Sequence, residues 1–204
     1  MFVFILTFDY PSMSRMSKSD EMVDGERKVH SKYSNNVERY SSYLFDESAY
    51  TAKGFEYTNK YRQLILLLCA DLIETHKFNL GSPSIGFYTD KIAFEKEKYY
   101  LGIEFIFPDS DRRTYEAAAA QLASAHLRKI TTSLSSSYKI FEDPNVAGAV
   151  LRFTWKRQGQ KEFVDFWLSS RDVYLFQTNR MVLPELIMRS TITNMNGVII
   201  RLSV

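Results

Sequence analysis

The chain has 204 residues, 45% of them hydrophobic and 15% aromatic, and its 26 basic residues nearly balance 24 acidic ones at a net charge of +2. That composition excludes collagen-like, disulfide-stapled and wholly disordered classes, and charge this even gives no ground for wholesale attraction to nucleic acid or acidic lipid. The single Cys69 allows no intrachain disulfide and fits a reducing, cytoplasmic compartment.

The opening stretch MFVFILTF is too short to span a bilayer, which takes roughly 20 apolar residues. No basic segment precedes it and no small-residue cleavage site follows closely. It reads as a strand, an apolar anchor folded onto the body, or the remnant of a leader; no transmembrane span is expected. From Ser12 to Ser42 serine is abundant, charges alternate and aliphatic residues are scarce. Such a stretch buries too little apolar area to offset the entropy of ordering it. The expectation is an apolar start and a mobile arm over 1–45, with a short helix near Asn36 to Tyr43, then one α+β body over 46–204.

Tyr57, Tyr61, Leu64, Leu68 and Leu72 recur at spacings of three and four, which predicts an amphipathic helix from about Lys53 to Lys77. Gly81-Ser82-Pro83 should end that segment, and a short strand over Ile85–Thr89 should follow. YYLGIEFIF, Tyr99 to Phe107, places Tyr99, Leu101, Ile103, Phe105 and Phe107 on one face of a strand. Pro108-Asp109-Ser110-Asp111 breaks it and offers caps for a helix from Arg112 to about Leu134. The alanines of that helix imply close approach to whatever it packs on.

Ala149–Lys156 and Glu162–Leu168 read as a hairpin about a polar turn at Arg157-Gln158-Gly159-Gln160. Ser169-Ser170 can cap a helix over Arg171–Gln177, a second helical piece covers Leu183–Arg189, and Asn194, Asn196 and Gly197 turn into a last strand, Val198–Ser203. From Tyr99 onward the order is strand, helix, strand, strand, helix, strand. That is the split βαβ order of a ferredoxin-like fold: an antiparallel sheet with helices on one face, here with an extra N-terminal helix and strand.

In that fold the last strand lies beside the first, the first beside the third, and the third beside the second. Arg201, Glu104, Asp165 and Arg152 would then line up on the less apolar face, with signs plus, minus, minus, plus. Paired carboxylates are the raw material of acid–base chemistry. A cross-strand salt-bridge ladder explains the same residues and is preferred, because no histidine or further carboxylate motif joins them. The same face would carry Tyr100, Phe163 and Trp167. Aromatics on an open sheet stack unpaired bases in RNA-recognition-type domains, but KEFVDFWL lacks the glycines of that pattern.

His30, His76 and His126 match no zinc spacing, and Cys69 inside LILLLCADL reads as a small buried hydrophobe. No dinucleotide, Walker, nucleophile-elbow or metalloprotease motif occurs. The expectation is a non-catalytic interaction or structural domain without a cofactor, bound to a protein partner or to itself. The alternatives are a nucleic-acid or small-ligand module using the mixed face, and an enzyme with a non-local site around Glu104 and Asp165.

Overall fold

The structure is a computed structural model and describes residues 33, 36–46, 52–89, 98–111 and 114–202. The opening apolar stretch, most of the expected arm and the last two residues lie outside the described residues.

Five strands form one mixed, mostly antiparallel sheet in the order β1 (Asn79–Thr89), β2 (Tyr99–Ile106), β3 (Val146–Arg157), β4 (Gln160–Ser169) and β5 (Thr191–Asn194). Only β2 and β3 are parallel. Among the described residues the α-helices are α1 (Ala52–Lys60), α2 (Arg62–Ala70), α3 (Tyr115–Leu134), α4 (Tyr138–Glu142), α5 (Ser170–Gln177) and α6 (Leu183–Arg189). Among the described residues no helix is long and apolar enough to cross a membrane.

The ferredoxin-like order is not the observed one. The first strand of the expected unit, β2, pairs with the second, β3, and not with the third or the last. The chain leaves β2, crosses through α3 and α4, and returns as a parallel neighbour, as βαβ crossovers do. The last strand is also different. Thr191–Asn194 pairs with β4, whereas Val198–Ile200 only brushes the outer edge of β5, through an isolated Thr193–Ile199 bridge and a bond from Ile200 N to Ile192 O at 2.8 Å.

The helix expected over Lys53–Lys77 is broken at Tyr61 and ends in a π turn at Asp71–Thr75. Gly81-Ser82-Pro83 does not terminate it; these residues lie inside β1, where the pairing register slips between Leu80 and Ile85 and Ser82–Pro83 is cis. The actual stop is Lys77, at φ +59°, with Phe78 N closing back on Leu72 O. Thr114, not the aspartates before it, caps α3 by accepting from Ala117 N. The β3–β4 hairpin follows expectation. Gln158 and Gly159 both have positive φ, the backbone that a two-residue turn needs to match strand twist.

Alternation decides what the strands bury. Leu101, Ile103, Phe105, Ala149, Leu151, Phe153, Trp155, Val164, Phe166 and Ile192 share one face and are buried. The α3 stripe of Ala119, Ala123, Leu127, Ile130 and Leu134 joins them in the same core, as do Ile65, Leu66 and Leu68 of α2. Val37, Tyr40 and Leu44, placed by the sequence in the arm, are buried in that core too. Val37–Tyr43 forms a 3-10 helix, and Phe45 then bonds to Ile85 O along the open edge of β1 and packs where Gly86 leaves no side chain in the way.

Candidate functional site

The opposite face of the sheet is mixed. Glu104 on β2, Arg152 on β3, Asp165 on β4 and Thr193 on β5 form one row of directly paired residues. The row therefore reads minus, plus, minus and neutral, not plus, minus, minus, plus. Arg201 has no place in it: it is exposed and follows the edge segment beyond β5. Since β3 lies between β2 and β4, Glu104 and Asp165 are two strand spacings apart, about 9–10 Å, with a guanidinium between them.

Arg152 forks onto Asp165, with Nε donating to Oδ1 and Nη2 to Oδ2, both at 2.8 Å. Planar, bidentate geometry of this kind is what arginine offers and lysine does not. The Asp165 side chain is nearly buried at 8% exposure, while Arg152 keeps 42%. The guanidinium also lies over the Phe163 ring, 4.1 Å from its centroid. Glu104 accepts from Thr154 Oγ1 at 2.9 Å and has Lys161 Nζ at 3.5 Å. One row above, Trp167 donates from Nε1 to Thr193 Oγ1 at 3.2 Å, and its ring meets Tyr100 edge-on at 5.3 Å.

The structure thus brings together six of the seven residues expected from the sequence: Tyr100, Glu104, Arg152, Phe163, Asp165 and Trp167. Paired strands fix their lateral spacing, and each charged member has an opposite charge within reach. Chemically the arrangement offers two half-buried aromatic surfaces and a polar row whose one surplus negative charge is met by Lys161 beside Glu104. Adjacent carboxylates for acid–base work are not part of it.

Three other polar constellations lie outside the mixed face. Glu162 accepts from Trp155 Nε1 at 3.0 Å and from both ends of the Arg157 fork at 2.9 and 2.6 Å, which ties down the hairpin end. Asp143 accepts from Lys60 Nζ and Tyr61 Oη at 2.7 Å each, and its other oxygen accepts from Asn145 N. Burial opposes ionisation of Asp143, but these donors outweigh it and hold the carboxyl at about 2. Asp172 accepts from Ser169 Oγ and lies 2.9 Å from Arg189. Lys60 and Tyr61 reach Asp143, and Arg189 reaches Asp172, from separate elements, so only folding unites those pairs.

Cys69 is fully buried, and burial pushes its thiol up, away from the thiolate a nucleophile needs. Among the described residues no group of three His, Cys, Asp or Glu side chains is placed to hold a metal ion. Among the described residues a cleft of about 390 Å³ opens beside Tyr138, Arg171 and Tyr174, and another of about 500 Å³ beside His76 and His126. No family model, no curated protein and no solved structure matches this chain.

Proposed function

We propose that the protein is a binding domain whose mixed sheet face takes a protein partner. The reading takes the helices to share the apolar face and leave this one for contact. The observation that supports it is the cluster of Tyr100, Trp167, Arg152 and Phe163, held in place by strand pairing and by their own edge-on and cation–π contacts. Aromatic and arginine side chains are enriched in interface cores, where rigid ones bury area at small entropic cost. The fixed ladder of Glu104, Arg152 and Asp165 beneath them sets register rather than net attraction.

Nucleic-acid binding is the weaker alternative. Arg152 is already forked onto Asp165, and Lys161 faces Glu104, so the face offers a polyanion little surplus positive charge. A cytoplasmic setting remains part of the proposal and rests on the lone free Cys69.

Affinity capture and sedimentation of the full chain test the reading, with Trp167→Ala and Phe163→Ala as controls. The expected result is a partner, or a second copy of the chain, retained by the wild type and lost by both variants while their circular dichroism is unchanged. A strictly monomeric chain whose capture profile matches that of both variants overturns it. A salt-dependent mobility shift with single-stranded RNA, lost in Arg152→Ala, would move the assignment to the alternative.

A further inference from the structure

We propose that the cleft where the π turn meets the start of β1, the end of β2 and α3 binds a small organic anion, a flat apolar body carrying one terminal carboxylate or phosphate. Its volume of about 500 Å³ is of ligand-pocket size. None of Glu104, Arg152, Asp165 or Trp167 lines it, so the inference stands apart from the mixed face.

The walls are apolar and aromatic. His126 stacks on Phe107 with ring centroids 4.6 Å apart and meets Phe78 edge-on at 5.6 Å; His76 lies 6.2 Å from Phe78 on the other side. These rings, with Pro108 and Ile106, form a surface on which a flat body can lie. The polar groups are all donors or potential cations except Asn79: His76, His126, Lys77 and Lys129. Among the described residues no carboxylate lines the cleft, although Asp71 Oδ2 lies 3.7 Å from His76 Nε2. Lys77 and Lys129 are exposed and form no ion pair among the described residues.

Two details point to a ligand rather than to an ordinary wet groove. The first is His126. Its Nδ1 is enclosed without a hydrogen-bond partner, which leaves Nε2 as the ring nitrogen able to meet a ligand. Burial, then the charge of Lys129, lower its pKa, so the ring is neutral near pH 7 and can donate one N–H. The second is Lys77. Its φ of +59° is the helix-ending conformation that glycine adopts freely and a side chain adopts at a cost. A strained residue that puts an ammonium at the mouth of a cleft is the kind of feature found at binding sites.

Histidine imidazole resonances of the full chain, titrated with benzoate, phenyl phosphate and neutral benzamide, test the proposal. Saturable shifts at His126 and His76 are expected from at least one anion, with benzamide weaker by about tenfold or more. The stronger anion tells carboxylate from phosphate. The bound anion should also raise the His126 pKa. Lys77→Gly should raise the thermal midpoint by relieving the backbone while weakening binding about tenfold, a pairing that a purely structural lysine would not give. Lys129→Gln should weaken binding without that gain. Absence of a saturable shift up to millimolar anion, equal shifts from benzamide, or wild-type affinity in both lysine variants would overturn it.

Discussion

The two faces of the sheet are made by the same strands and hold together by different physics. On the apolar face the rows Ile103–Leu151–Phe166–Ile192 and Phe105–Phe153–Val164 are buried, and nothing about them is directional except shape. On the mixed face the row Glu104–Arg152–Asp165–Thr193 depends on donors and acceptors that must meet within a few tenths of an ångström. Apolar burial gives about 25 cal/mol per Å² wherever it occurs. The polar row gives little net stability but penalises any register in which Asp165 loses its arginine. One face supplies the energy of folding and the other supplies discrimination among pairings.

The largest effect expected from this contrast is at Phe153, whose ring lies 5.1 Å from both Phe107 and Phe166 and 5.8 Å from Phe105. Phe153→Ala should cost about 4 kcal/mol in urea unfolding; a loss below about 1 kcal/mol would dissolve the distinction between the faces. Arg152→Leu should cost about 2 kcal/mol, because Asp165 is left nearly buried without its partner. Adding Asp165→Leu should recover much of that loss, and a double variant as unstable as the sum of the singles would mean that the fork carries no coupling. Trp167→Ala, on a half-buried side chain, should cost about 1 kcal/mol while removing the proposed partner contact.

The smallest expected effect belongs to neither face. Asp143 clamps α1 and α2 to the turn before β3, and its folded pKa of about 2 lies below the ordinary value of 3.8. A depressed carboxyl stabilises the fold above its unfolded pKa and loses that contribution as pH falls through the folded value. Stability should therefore decline between about pH 4 and pH 2, and Asp143→Asn should flatten that part of the curve. An unchanged acid profile in the variant would show that the clamp does not hold the helices.

Much of this was legible in the residues. Alternation in YYLGIEFIF put Phe105 and Phe107 on a buried face, and the spacing of Phe153 and Trp155 did the same for β3. The hairpin about Gln158-Gly159 and the Ser169 cap of α5 were likewise local signals. Thr191–Asn194 was missed because four residues between a helix and a turn give hardly one period of alternation, although Thr-Ile-Thr is good strand chemistry. Val198–Ile200 shows the opposite error, since β-branched residues there suggest a strand that tertiary pairing only touches. The cleft was missed because His76 and His126 are far apart in sequence, and each by itself reads as an ordinary helical residue.

The sequence by itself determined which side chains face together along each element, because helix and strand periods are local properties of a chiral backbone. It also determined where several elements stop, through caps and positive-φ turns. Only the tertiary structure decided which strand lies beside which. Alternation is the same whether β2 neighbours β3 or β4, so the same face can be assigned with the wrong neighbours. The choice was made by the α3–α4 crossover and by core packing, and it set Arg152 between two carboxylates instead of placing those carboxylates side by side.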